Sequence, residues 1–224
     1  MIDDAVLVHQ ARVVLRMKPN DEIVLFCGGE ALGWDFRFHI ERITDRVLDG
    51  AVVGRTKNEH EPRVAVTLYQ ALLKKDNMEL IFEKCTEVGI STFVPIASER
   101  SIKKSVNQER AEKIIKEASE QSGRALVPRV QSIITFAEAI AIAKKTGSLN
   151  IIAHEKETRR SLDAAPPTSR RVSLFIGPEG GFSEKEITMA RNAGFFITSL
   201  SRRVLRAETA AIVGSYAVLH RFGN

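Results

Sequence analysis

Two short segments of the chain combine residue types that can bind a small molecule. The first is FIGPEGGFSEKEI, residues 175–187, in which three glycines and a proline separate an apolar run from a run of charges. Glycine carries no side chain and admits positive φ, so this turn exposes backbone N–H and C=O groups to a ligand. The chemistry that it favours is recognition of the edges of a planar group, such as an adenine ring, beside the carboxylate of Glu179.

The glycine spacing does not match the common phosphate-binding motifs. A P-loop needs Lys followed by Ser or Thr, and a dinucleotide site needs G-x-G-x-x-G, and neither pattern is present in the 175–187 segment. A nucleotide-dependent metabolic enzyme is therefore disfavoured. The structural alternative is a strand-to-helix turn that binds no ligand.

The second segment is SRRVLR, residues 201–206, which follows the apolar run 195–200. An apolar helix pattern begins at Ala207, with Glu208 in its first turn, where the helix dipole alone explains an acidic residue. Both segments follow predicted strands, and the carboxyl ends of neighbouring parallel strands meet at one edge of a sheet. The sequence therefore predicts one apolar pocket between the two loops.

The rest of the chain supplies the elements that must hold these loops. Residues 1–62 read as a small β domain, with strands predicted over 22–26, 34–43 and 51–54. From residue 63, strands (63–72, 91–98, 149–155, 172–177, 195–200) alternate with helices (77–90, 108–123, 137–147, 183–193 and from 207). Such alternation predicts βα units and a mostly parallel sheet covered on both faces. Glycines at 89, 123, 147 and 194 are predicted to end four helices, and Ser183 with Glu186 to begin one.

Composition limits the class of protein. At 224 residues with 44% hydrophobic content, the chain can bury one large core or two smaller ones. It has no apolar run of about 18 residues and no secretory signal pattern at its start, which predicts a cytoplasmic protein with no membrane segment. Cys27 and Cys85 lack metal-ligand spacing and are predicted to be buried free thiols, and no metal is expected.

Charge permits an anionic partner without requiring one. Lys and Arg number 33 against 28 Asp and Glu, a net charge of +5. Several arginines occur in pairs along the chain, and a cluster of them on one face would suit a phosphate backbone. Scattered solvated charge is the alternative.

The two loops together carry a resemblance to a known family. IGPEGGFSEKEI followed by SLSRRVLRAETAA is similar to the 16S ribosomal RNA uridine N3-methyltransferases of the SPOUT superfamily, the small-subunit methyltransferase E family. HQARVVLRMKPNDEI, KKDNMELIFEKCTEVGISTFVPIASERS and EASEQSGRALVP extend the likeness in register over nearly the whole chain.

The resemblance implies an α/β fold with a C-terminal trefoil knot over residues 63–224, preceded by a PUA-like RNA-binding β-barrel domain over 1–62. It implies S-adenosylmethionine (SAM) as methyl donor, a homodimer, and methylation of N3 of one uridine in 16S ribosomal RNA, presented in the assembled small ribosomal subunit. It also implies roles for individual residues. The cofactor-binding set is Ala153, His154, Glu155, Ile176, Gly177, Pro178, Glu179, Gly180, Gly181, Leu200, Ser201, Val204, Leu205 and Arg206.

For catalysis, we expect Arg206 to stabilise the anion that develops on the uracil carbonyls, because a guanidinium resists titration and donates several hydrogen bonds. Glu208 is the expected proton acceptor or the group that orients Arg206. RNA phosphates are expected to contact Arg12, Arg16, Arg100 and Arg124, with Arg12 and Arg16 on one face if that stretch is helical. Valine in place of Gly180 is expected to abolish SAM binding.

Two features depart from the family pattern. Leu200-Ser201-Arg202-Arg203 stands where the family usually has Leu-Gly-Pro-Arg, so a glycine is missing at the start of the 201–206 loop. Only eight residues precede His9, where relatives carry an extra strand, so either the start of this sequence is truncated or the β domain is shortened at its N-terminus. These departures are the support for an alternative function, a non-catalytic RNA-binding ribosome-assembly factor that retains the fold.

Overall fold

The computed structural model describes residues 1–26, 33–102, 105–167 and 170–223. Cys27 lies outside the described residues. The chain divides into two compact units, Met1–Glu61 and Pro62–Asn224. No helix in the described ranges combines the length and the hydropathy needed to cross a bilayer.

The first unit is built on an antiparallel sheet of three strands in the order β1-β2-β3. Its elements are helix α1 (Ala5–His9), a π-helical turn (Gln10–Val14), β1 (Glu22–Phe26), β2 (Trp34–Ile43) and β3 (Leu48–Lys57). The predicted strands are confirmed, and the third is longer than the 51–54 expected. The two helical turns were not predicted; Asp4 begins the first, its carboxylate accepting from the N–H groups of Val6 and Leu7.

The second unit alternates strands and helices, as predicted. Its elements are β4 (Ala65–Ala71), α2 (Lys75–Val88), β5 (Thr92–Ala97), α3 (Gln108–Gln121), β6 (Arg129–Val130), β7 (Ile134–Thr135), α4 (Phe136–Lys145), β8 (Leu149–Ala153), a 3-10 turn (Leu162–Ala164), β9 (Arg171–Ile176), α5 (Glu184–Asn192), β10 (Phe196–Thr198) and α6 (Ala207–Phe222). The strand order is β10-β8-β9-β4-β5-β6, with β7 also on β5. Each of these pairs is parallel, which confirms the predicted α/β class.

Helices cover both faces of this sheet, so its central strands are apolar on both sides. Leu68 and Leu174 face a core shared with α2, α3 and α6. Tyr69 and Phe175 face the opposite core, with α4 and α5, and their rings stack at 4.3 Å. This arrangement leaves the carboxyl ends of the strands as the edge at which loops can form a site.

The predicted helix boundaries are confirmed where their chemistry is specific. Gly89, Gly123, Gly147 and Gly194 all have positive φ just after helices. Ser183 and Glu186 form a capping box, in which each side chain accepts from the other residue's backbone N–H. Helix α5 is thereby fixed at its start, directly after the glycine loop.

Cys85 is a buried free thiol, as predicted. Burial raises the pKa of Cys85 to about 12, and Ser215 Oγ lies 3.7 Å from its sulfur. A thiol with so high a pKa is a packing residue rather than a nucleophile.

The prediction that Arg124 contacts RNA is wrong. Its side chain is only 3% exposed, and one guanidinium nitrogen donates to the carbonyls of Thr86, at 3.0 Å, and Ile90, at 2.6 Å. The Thr86 carbonyl lies in the last turn of α2, where the helix dipole favours a cation, and Ile90 directly follows the C-cap residue Gly89. Arg124 therefore stabilises the end of a helix and cannot reach a phosphate.

We expect Arg124→Ala to lower the free energy of unfolding by about 2 kcal/mol, because two buried carbonyls lose a charged donor. Chemical denaturation of the variant and of Arg129→Ala, an exposed neighbour, would measure the effect. A stability equal to that of the wild type, together with weaker RNA binding, would restore Arg124 to the RNA footprint.

Candidate cofactor cleft

Three loops that follow adjacent strands of the second unit line a single cleft. Strands β10, β8 and β9 are neighbours, with Thr198 beside Ala153 and Ile152 beside Phe175. The three following loops therefore emerge at one edge of the sheet. The cleft is lined by Ala153, His154, Glu155, Ile176, Gly177, Pro178, Glu179, Gly180, Gly181, Phe182, Ser199, Leu200, Ser201, Arg203, Val204, Leu205, Ala207 and Ala210.

The sequence-based set of cofactor residues and this lining differ at few positions. Of the predicted residues, Arg206 alone is absent from the lining. Phe182, Ser199, Arg203, Ala207 and Ala210 line the cleft without having been predicted. The small residues at the start of the predicted apolar helix, directly after the 201–206 loop, were the signal that could have identified Ala207 and Ala210.

The glycine loop is a tight turn in which Gly181 N–H donates to the Pro178 carbonyl at 2.9 Å. A Cβ on Gly177 would lie 3.1 Å from the backbone nitrogen of Phe182. Gly181 has φ +67°, and its Cβ would lie 2.7 Å from a carboxylate oxygen of Glu155. Gly177 and Gly181 therefore permit close contacts that a side chain would prevent.

Gly180 is less constrained than the sequence led us to expect. A Cβ there would make an ordinary contact of 3.5 Å with Arg100 Cδ, and Gly180 is not among the glycines with positive φ. Glycine is thus needed in this loop chiefly at positions 177 and 181.

One side of the cleft is apolar. Ile176, Leu200 and Leu205 line it together with the small residues at the start of α6. Gly214 lets that helix lie against the third loop, since a Cβ there would be 3.0 Å from Leu200 Cδ1. The surface suits an aromatic ring, which gains from burial against aliphatic side chains.

The rest of the lining includes a polar side, whose buried member is His154. This side chain is 7% exposed, and its backbone N–H donates to the Thr198 carbonyl at 2.9 Å. Within the described part of the chain, His154 Nδ1 has no hydrogen-bond partner, although Glu155 Oε2 lies 3.5 Å away. A buried polar atom left unpaired is costly, and the carboxylate of Glu155 can pair with this one after a small movement.

Carboxylates give the polar side a negative character. Glu155 and Glu179 line the cleft and are exposed. Beside the cleft, the Lys156 ammonium lies 2.7 Å from Glu184 Oε1, and this hydrogen bond holds the pKa of Glu184 below its usual range. The carboxylates of Glu155 and Glu179 favour a cationic ligand.

Arg206 and Glu208, the predicted catalytic pair, lie at the start of α6 and not in the wall of the cleft. Arg206 is the exposed N-cap residue of the helix. Glu208 is half-buried, and Asn77 on α2 donates to its carboxylate at 3.3 Å. Their catalytic roles stay predictions, and the Asn77 contact also fits the structural explanation of Glu208.

The predicted RNA-binding arginines fall in different environments. Arg12 and Arg16 are both exposed in the first unit. They do not share a helical face as expected, because Arg16 lies beyond the π-helical turn with φ 54°. Arg100 contacts the glycine loop, donating to the Gly180 carbonyl at 2.7 Å.

Within the described residues, no cluster of His, Cys, Asp and Glu is arranged to hold a metal ion.

Comparison with known proteins agrees with this geometry. A family model described as an RNA methyltransferase domain matches residues 59–219. The chain is 33% identical over 209 residues to ribosomal RNA small subunit methyltransferase E of Rickettsia conorii, covering 92% of this chain and 83% of the relative. The corresponding protein of Synechocystis is 32% identical over 211 residues, covering 92% and 68%.

Two solved structures have the same fold over nearly the whole chain. The crystal structure of the small subunit methyltransferase E of Neisseria gonorrhoeae, bound to S-adenosyl methionine, has a TM-score of 0.87 and 29% identity, covering 98% of this chain and 90% of that one. A Legionella pneumophila structure in complex with SAM also has a TM-score of 0.87, with 29% identity and coverage of 99% and 91%. The chain thus belongs to the RNA methyltransferase family that includes the small-subunit ribosomal RNA methyltransferases E.

Proposed function

We propose that this protein is a SAM-dependent methyltransferase of the cytoplasm that methylates N3 of one uridine in the 16S RNA of the small ribosomal subunit. The observation that carries the proposal is the cleft formed by three loops on adjacent parallel strands, in a chain of the RNA methyltransferase family. The N3 position follows from the family resemblance of the two loop sequences.

The residues that line the cleft fit SAM in polarity and in charge. The apolar side formed by Ile176, Leu200 and Leu205 suits the adenine ring. Glu155 and Glu179 suit the positive charges of the sulfonium and ammonium groups. Gly177 and Gly181 would let backbone groups approach the ligand closely.

The chemistry requires three actions from the protein. When bound, SAM supplies the electrophilic methyl group. The chain must orient the uracil ring, stabilise its anion, and accept the N3 proton, since the imide pKa lies well above neutrality. We assign anion stabilisation to Arg206 and proton acceptance, or orientation of Arg206, to Glu208.

The same proposal covers the architecture. We assign residues 1–62 to a PUA-like RNA-binding domain and 63–224 to a SPOUT methyltransferase domain with a trefoil knot. The chain between β8 and β9 returns to the end of β10, where Ser199 N–H and Thr198 Oγ1 both donate to the Arg160 carbonyl at 3.0 Å. This contact supports the threaded path. Val213 and Tyr216, exposed on α6, are available for the homodimer interface that we propose.

Mass spectrometry of 16S RNA from cells that lack the protein tests the function. We expect loss of N3-methyluridine at one position and its return when the gene is restored. Purified protein should also transfer a tritiated methyl group from SAM to small-subunit RNA. RNA binding without transfer would favour the non-catalytic assembly factor, and an unchanged methylation pattern would refute the proposal.

We expect Arg12→Ala to weaken binding to small-subunit RNA and to reduce the slope of log K against log salt by about 0.7 to 0.9, the loss of one phosphate contact. The exposed position of Arg12 leaves its guanidinium accessible. Fluorescence titration at several salt concentrations would measure the slope, with Arg46→Ala in the turn after β2 as control. An unchanged slope would remove Arg12 from the footprint.

A further inference from the structure

The segment that directly follows β5 contacts the glycine loop, although β4 separates β5 from β9 in the sheet. The contacts come from Glu99 and Arg100, and they reach both ends of the 180–183 segment. They are unexpected from the sequence, because the partners lie 80 to 87 positions apart along the chain.

Arg100 makes the contact at the glycine end. Its guanidinium donates to the Gly180 carbonyl at 2.7 Å, and its side-chain stem lies over Gly180, with Cδ 3.5 Å from the site of a Cβ. The contact therefore fixes one peptide group of the loop by a charged donor and by packing.

Glu99 makes the contact at the helix end. Its backbone N–H donates to Glu186 Oε1 at 2.9 Å, and its carboxylate accepts from Ser183 Oγ at 2.7 Å. Glu186 is 6% exposed, and its second oxygen accepts from Ser183 N–H at 2.8 Å. The capping box at the start of α5 is thus bonded to the segment after β5.

Only Gly181 and Phe182 lie between the two attachment points. Phe182 is 2% exposed, with its ring 5.1 Å from that of Phe136. A glycine-rich segment has high conformational freedom when isolated, and recognition by backbone groups requires that this freedom be removed before binding. The attachments at Gly180 and Ser183 remove it from outside the loop.

We propose that Glu99 and Arg100 are positioning residues that hold the glycine loop in its ligand-binding conformation. The inference rests on the proposed function, since it concerns the loop assigned to SAM. It also gives Arg100 a role in cofactor affinity in place of the RNA contact expected from the sequence. The two roles predict different behaviour for the same substitution.

The test uses the full-length protein and the variant Arg100→Ala, with Arg191→Ala on α5 as a charge-matched exposed control. We expect the Kd for SAM, measured by calorimetry, and the KM for SAM to rise about fivefold to tenfold, the effect of losing one solvent-exposed hydrogen bond. The kcat at saturating SAM and the salt dependence of RNA binding should stay at wild-type values. Glu99→Ala should shift the Kd in the same direction while the protein stays folded by circular dichroism.

Three outcomes separate the explanations. A wild-type Kd for SAM in both variants would overturn the positioning role. A reduced salt slope for RNA in Arg100→Ala with an unchanged Kd for SAM would return Arg100 to the RNA footprint. Failure of the wild-type protein to bind SAM would contradict the proposed function itself, and would be seen before any variant is compared.

Discussion

Gly181→Ala is expected to raise the Kd for SAM by at least about tenfold. At φ +67° a residue with a Cβ is strained by about 1 to 2 kcal/mol, so the free loop of the variant relaxes to other conformations and SAM binding must restore the strained one; about 1.4 kcal/mol is a factor of ten in affinity. The new Cβ would also lie 2.7 Å from Glu155 Oε1, so that carboxylate must shift. Calorimetric titration with SAM measures the change.

Gly180→Ala is the matched control for this prediction. It adds the same methyl group one residue earlier, where φ is not positive and the nearest atom, Arg100 Cδ, is 3.5 Å away. We expect its Kd to stay within about twofold of the wild type, since such a contact is ordinary packing. Equal heats of binding for wild type and Gly181→Ala, both folded, would contradict the assignment of this loop to the cofactor.

The position of the cleft could be predicted because it depends on local patterns. A buried apolar strand such as 172–176 followed by GPEGG indicates a turn at the carboxyl end of a strand, and parallel sheets bring such ends together. The capping box at Ser183 and the glycine helix ends are likewise set by a few adjacent residues. These features need no knowledge of the strand order, whereas the position of β8 between β9 and β10, which were predicted to be neighbours, depends on it.

The roles of several arginines could not be predicted, because they depend on contacts between distant segments. Arg124 follows a helix-ending glycine and reads as exposed, yet it reaches the end of α2 and is buried there. Arg100 meets Gly180 only because β5, β4 and β9 are consecutive in the sheet. The periodicity of apolar residues identifies a strand but does not determine which strands lie beside it in the sheet. An arginine at a loop therefore supports several roles until the sheet order is known.

Arg206→Ala is expected to lower the rate of methyl transfer by about 10² to 10³, the effect of removing one donor from a developing anion. Arg206 lies at the N-cap of α6, next to Leu205 in the lining of the cleft but outside that lining itself. It can therefore face a base that enters beside the cofactor without contacting the cofactor. Single-turnover transfer of a labelled methyl group to small-subunit RNA measures the rate.

Cofactor binding distinguishes a catalytic role of Arg206 from a binding role. Because its side chain is absent from the cleft lining, Arg206→Ala should keep the Kd for SAM within about threefold of the wild type, a difference under 1 kcal/mol. Arg202→Ala, an exposed arginine of the same loop and likewise outside the lining, is the control and should retain transfer. Equal losses of SAM affinity and transfer in Arg206→Ala would make it a binding residue. An unchanged rate would remove Arg206 from the reaction and leave anion stabilisation to Arg203, the arginine that lines the cleft.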